Sequence, residues 1–182
     1  SRGKARLSSR SMNDIPLPPA EVRNRNLVIV GVTAVLVYGA DLVTKILAVA
    51  KLEHRDSKQI VGDFFQLDFT RNGGAAFGIG VGMTIVFTVL SMVVIAVVLR
   101  TANRLGSAWW AVVFGLVLGG ALGNLTDRLF RSPGFMRGHV VDFLHLKNWP
   151  VFNLADTAFC TAGGIVFLLV LRNIPLEGRN TS

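Results

Sequence analysis

The chain has 182 residues, of which 51% are hydrophobic and 16% charged, with a mean hydropathy of +0.51 and a formal net charge of +8. That balance excludes an ordinary soluble domain, which carries more charge, and the scattering of the basic residues along tails and short loops excludes a nucleic-acid surface. One domain fits this length. Residues 1–26 are rich in Ser, Pro and Arg, and IPLPP (15 to 19) cannot continue a helix, so the segment reads as a disordered basic tail, with Met12 a candidate natural start. Four apolar runs of membrane-spanning length follow: Leu27 to Ala50, about Gly80 to Leu99, about Ser107 to Thr126, and about Phe152 to Leu171. The first is too long for a cleaved signal peptide and has no A-x-A-like site after it, so it is expected to be retained as an anchor. The expected organisation is a tail (1–26), a four-helix membrane unit (27–172) and a second tail (173–182).

Arg2, Lys4, Arg6, Arg10, Arg23 and Arg25 precede the first run, Arg100 and Arg104 follow the second, and Arg172 and Arg179 follow the fourth. By the positive-inside rule these ends and this loop are cytoplasmic, leaving loops 51 to 79 and 127 to 151 outside. Polar residues gather on that outer side. Asp41 and Lys45 lie at i, i+4 near the outer end of the first span, where they can pair below the surface. Segment 60 to 71 alternates Phe65, Leu67 and Phe69 against Gln66, Asp68 and Thr70, which predicts a strand with one apolar face lying over the mouth of the bundle. NGGAAFG (72 to 78) permits tight backbone geometry before the second span.

In the third span Gly115, Gly119 and Gly123 recur every four residues, which predicts a helix-packing strip, and the same spacing continues to Asp127, with Asn124 and Arg128 beside it. VVDFLHL (140 to 146) reads as extended and carries Asp142, which taken alone is an ordinary solvated loop carboxylate. The fourth span begins with Asn153 and Asp156 on one face; Asn153 is a natural helix cap, and a carboxylate there also suits the helix dipole. Acids at the ends of apolar segments are costly, by about 2.5 to 3.5 kcal/mol each on insertion scales, and such residues mark a site or a proton path more often than packing. Cys160 is the single Cys, read as a small buried apolar residue; His54, His139 and His145 show no metal-ligand spacing, so neither metal nor cofactor is expected. Trp109, Trp110 and Trp149 read as interfacial anchors.

Five strings, DLVTK (41 to 45), NGGAAF (72 to 77), GNLTDR (123 to 128), VVDF (140 to 143) and FNLAD (152 to 156), resemble in sequence and order the lipoprotein signal peptidases of type II, polytopic aspartyl proteases of the bacterial cytoplasmic membrane. The resemblance covers roughly Leu27 to Leu171. It implies an all-α integral membrane protein of four transmembrane helices with a small extracytoplasmic β-cradle and a flap-like segment. It implies cleavage on the amino side of a diacylglyceryl-modified Cys in a prolipoprotein, with Asp142 and Asp156 as catalytic dyad. Asp41, Asn72, Asn124, Arg128 and Asn153 match positions that shape the family's site or contact substrate; Lys45 and Asp127 join them by their placement, Asp127 remaining an alternative dyad member at the outer rim. One departure stands out: FRSPGFMRG (130 to 138) makes the stretch from Asp127 to Asp142 longer than in many members, and Asp142 to Asp156 is shorter. The expected partners are prolipoproteins and membrane lipid, with no nucleic acid, the protein acting as a monomer. A proton-coupled carrier, which would place acids near the midplane and show a repeat of broken helices, and a non-catalytic assembly factor, which would tolerate Asp142→Asn and Asp156→Asn, are the competing classes.

Overall fold

The computed structural model describes residues 17–74 and 82–178. Four helices, α1 (Ala20–Leu52), α2 (Gly82–Thr101), α3 (Ala108–Phe130) and α4 (Leu154–Leu171), each have the length and apolar composition to cross a membrane. Three strands, β1 (Lys58–Val61), β2 (Phe65–Asn72) and β3 (Val140–Leu146), form one antiparallel sheet in the order β1-β2-β3. The protein is therefore a helical membrane protein with a small sheet.

Several boundaries differ from those expected. Helix α1 starts at Ala20, directly after Pro19, so residues 20–26 are helical rather than part of a disordered tail. Proline blocks the preceding turn but suits a helix start, and the polar residues EVRNRN can extend a helix once the apolar run has nucleated it. Residues 1–16 of that expected tail and 179–182 of the second lie outside the described residues, as do Ala75 to Val81, which hold part of NGGAAFG and of the expected start of the second span. Helix α3 runs one turn past Thr126, which places Asp127 and Arg128 inside the helix rather than beyond its end. The single expected strand at 60 to 71 is a hairpin, β1 and β2, with an irregularity between Leu67 and Thr70 in its pairing to β3.

Helix α3 is the hub. Half of its apolar window is buried, against 17%, 17% and 22% for α1, α2 and α4, whose outward faces remain apolar and exposed, as a bilayer solvent requires. The glycine strip explains the close approach of α1: a methyl added at Gly115 would meet Thr33, one at Gly119 would meet the Ala34 carbonyl and Val37, and one at Gly123 would run into the Asp41 carboxylate. Gly123→Ala is expected to lower the detergent melting temperature and site integrity, at about 1–3 kcal/mol for overpacking. Gly163→Ala, whose methyl meets nothing within 4 Å, serves as the control; equal melting temperatures for the two variants would contradict the packing role.

Strand alternation puts Leu67 and Phe69 of β2 with Val141 and Phe143 of β3 against Ala48, Val49 and Leu52 at the end of α1. The sheet thus stands on the end where α1 and α3 finish and α4 begins. Trp109 and Trp149 are exposed, whereas Trp110 is half-buried, its Nε1–H donating to the Ile174 carbonyl at 3.0 Å. Cys160 is exposed, not buried as expected: it lies on the outward face of α4, where lipid rather than protein is the apolar medium.

Candidate functional site

The polar residues scattered through the sequence converge beneath the sheet. Lys45 is the centre of the first group. Its ammonium, 1% exposed, lies 2.8 Å from Asp41 Oδ2, 2.9 Å from Asp127 Oδ2 and 2.9 Å from Asn124 Oδ1. The i, i+4 pair expected on α1 therefore forms, but the lysine also bridges to α3. The other Asp41 oxygen accepts from the Ala155 backbone N–H at 2.9 Å, one of the donors that the first turn of α4 leaves free. Asp127 accepts from the Val141 N–H of β3 at 3.2 Å and pairs with Arg131 through the guanidinium Nε. This group thus ties α1, α3, α4 and β3 to one another, and its charges compensate in place.

The second group holds Asp142 and Asp156. Asn153 is the N-cap of α4 in a reciprocal capping box: its side-chain oxygen accepts from the Asp156 N–H at 3.0 Å, and its own N–H donates to Asp156 Oδ2 at 3.1 Å. The same Asn153 side chain donates through Nδ2 to Asp142 Oδ1 at 2.6 Å, so one residue positions both carboxylates. Capping and site assembly are a single structural act here. Asn72 Nδ2 donates to the second Asp142 oxygen at 2.9 Å. Strand pairing makes this contact: Asn72 lies opposite Val140 and Thr70 opposite Asp142 across β2 and β3. Asn124 joins the two groups, accepting from Lys45 and from Asn153 Nδ2, and donating to Asp156 Oδ1 at 3.2 Å.

Asp142 is 2% exposed. Burial of its carboxyl, the largest influence, together with the nearby Asp156 charge, pushes its pKa up to about 6, against the lowering hydrogen bonds from Asn72 and Asn153. Asp156 is half-buried and sits at the N-terminal positive end of the α4 dipole.

Asp156 opens onto a cleft of about 240 Å³ between α2 and α4, both of which lean on α3. Phe87, Leu90, Val94 and Phe159 supply its apolar walls, and Asn124, Arg128 and Asp156 its polar end. Arg128 donates to the Asn124 carbonyl at 3.3 Å and lies 5.7 Å from the Phe87 ring centroid. The connection 131–139 folds back onto α3 and α2: the Gly138 N–H donates to the Arg128 carbonyl at 3.0 Å, and the Thr88 hydroxyl to the Met136 carbonyl at 3.0 Å.

All nine residues singled out in the sequence lie in or beside this network. Asp127 is placed away from the cleft, its oxygens occupied by Lys45, Arg131 and Val141, and its i, i+4 partner is Arg131 rather than the adjacent Arg128. Arg131 was not singled out; its spacing from Asp127, carried on the longer α3, is the signal for it. Phe87 and Phe159 carried no signal, because an aromatic in a membrane span is unexceptional until a cleft is seen beside it.

Residues 33–172 match the family model described as signal peptidase (SPase) II. The chain is 47% identical over 154 residues to the lipoprotein signal peptidase of Streptomyces coelicolor, covering 85% of this chain and 76% of that protein. It is 46% identical over 164 residues to that of Rhodococcus jostii, covering 90% and 82%, and 44% identical over 156 residues to that of Mycobacterium tuberculosis, covering 86% and 74%. Among solved structures, a bacterial membrane enzyme determined by the in meso method at 1.9 Å resolution superposes with a TM-score of 0.69 at 26% identity, over 79% of this chain and 92% of that one.

Proposed function

The chain belongs to the signal peptidase II family and is a multi-pass bacterial membrane protease, and from that premise we propose that Asp142 and Asp156 are its catalytic dyad. Membership supports cleavage of lipoprotein signal peptides and sets aside the carrier and assembly-factor readings. The observation that carries the dyad is Asn153, which holds the buried Asp142 and also Asp156, the carboxylate at the polar end of an apolar cleft.

Two neighbouring carboxylates share one proton over the pH range in which their repulsion keeps the second from ionising, and the aspartic proteases are the standard worked case of this. In this reading the proton rests on Asp142, whose burial raises its pKa, and Asp156, which reaches the cleft, is the base. Asp156 takes a proton from water as the oxygen adds to the scissile carbonyl, while Asp142 donates a hydrogen bond to the developing oxyanion. Collapse then breaks the C–N bond as Asp142 passes its proton to the leaving nitrogen. One proton remains on the pair, now on Asp156, and solvent exchange restores the starting state.

The substrate in this reading is a diacylglyceryl-modified prolipoprotein cut on the amino side of the lipid-bearing Cys. The apolar walls of the cleft suit the lipid and the signal helix; Arg128 and Asn124 suit the peptide carbonyls beside the scissile bond. Both termini face the cytoplasm and the sheet faces outward, an orientation supported by the basic residues at Arg100, Arg172 and the N-terminal segment.

The test is mass-resolved cleavage by purified protein in detergent of a lipidated prolipoprotein and its unlipidated twin. Cleavage immediately before the modified Cys, in the lipidated form alone, is the expected outcome. Intact lipidated substrate with folded enzyme would overturn the reading. The pH profile follows from the same assignment. Above about pH 6 Asp142 loses its proton, both carboxylates are ionised, and kcat/KM should fall about tenfold per pH unit. A level rate through pH 9 would remove Asp142 as the acid.

A further inference from the structure

A second cavity, of about 830 Å³, lies between the end of α1 and the β1–β2 hairpin and shares no lining residue with the Asp156 cleft. Its floor is apolar, with Leu47, Ala48 and Leu52 from α1 meeting Leu67 and Phe143 from the sheet. Its rim is basic: Lys51, Arg55 and Lys58 line it, with Asp56 the one acid there. Among the described residues none of these three cations has an ion-pair partner, and the neighbouring Glu53 is already paired with Arg71 at 2.7 Å. On α1 the exposed Val43 and Leu47 give way about one turn after Leu47 to Lys51, so the groove straddles the level at which the helix leaves the membrane.

We propose that this groove is a binding site for an anionic phospholipid, its phosphate held by Lys51, Arg55 and Lys58 and an acyl chain laid along Leu47 and Val43. Two features select this occupant. An apolar track continuous with the exposed face of α1 fits a chain that stays in the hydrocarbon, and unpaired cations at the membrane boundary fit a headgroup with a fixed negative charge. A zwitterionic headgroup would bring its own cation against the same three. The site is separate from the peptidase cleft, so the lipid here is not the one carried by the substrate, and lipid binding can be measured without cleavage.

Full-length protein in uncharged detergent, stripped of co-purified lipid, is mixed with equimolar phosphatidylglycerol and phosphatidylcholine of identical acyl chains, and the retained lipid is quantified by mass spectrometry. Wild type should prefer phosphatidylglycerol by about tenfold, with the preference lost at about 1 M salt. K51Q/R55Q/K58Q should lose it, whereas R100Q/R172Q, altered at the opposite membrane face, should keep it. A photoactivatable phosphatidylglycerol on wild type should label peptides within 43–58, a result that does not depend on any variant folding. Equal retention of the two lipids by wild type, selectivity surviving in the triple variant, or label confined to other segments would each overturn the proposal. Tighter binding of an acidic peptide than of either lipid would do so too, placing a polypeptide in the groove.

Discussion

Asp142→Asn and Asp156→Asn are each expected to lower kcat/KM for lipidated prolipoprotein by at least about 10³-fold, leaving the melting temperature within a few degrees of wild type. Asn keeps the shape of the carboxylate and can still meet Asn153, but it supplies neither a transferable proton at position 142 nor a base at position 156. Because the two act as one proton-sharing unit, the double variant should be barely slower than either single one. Asp127→Asn supplies the contrast. Its carboxylate is occupied by Lys45, Arg131 and the Val141 N–H, so its loss should act on stability and leave more residual activity than either dyad variant. A fully active Asp142→Asn enzyme would end the dyad assignment and bring Asp127 back as the partner of Asp156.

Lys45→Met is expected to be the most destabilising single change in the chain. It removes the only cation that the described contacts place on Asp41 and one of two on Asp127, leaving a carboxylate fully buried without compensation. Removing one partner of a buried ion pair typically costs about 3–5 kcal/mol. The variant should accumulate poorly and melt well below wild type. Lys45→Met combined with Asp41→Asn removes the uncompensated charge while Asp127 keeps Arg131, and it should recover part of the loss. Activity should follow, since Lys45 also holds Asn124, which in turn donates to Asp156. A double variant no more stable than Lys45→Met would show that the network contributes through packing rather than charge.

These two sets of variants separate what each polar group does. Asp142 and Asp156 carry the proposed chemistry, and the Lys45 group brings α1, α3, α4 and β3 into the arrangement that holds them. Asn153 belongs to both, because the residue that caps α4 is also the donor to Asp142.

The sequence by itself determined the parts of this protein that depend on local composition. A bilayer requires each span to satisfy its own backbone, so apolar length alone located four helices, and the glycine spacing of α3 marked the face on which α1 packs. Period-two alternation located β2, the extended character of VVDFLHL located β3, and five short strings together indicated the family. Helix ends were less legible, since the largely polar residues 20–26 and the charged pair Asp127 and Arg128 continue helices that the apolar runs establish. What only the tertiary structure decided is which groups meet. Asp142, an unremarkable loop acid in sequence, is buried because β3 pairs with β2 and brings Asn72 to its carboxylate. Asp127, which ranks behind Asp142 and Asp156 in the sequence, has its carboxylate engaged by Lys45 of α1 and the Val141 N–H of β3, and Cys160 faces lipid because α4 is turned by its contacts with α3. Such pairings rest on strand register and on helix contacts between residues 70 to 114 positions apart, and no local periodicity carries that information.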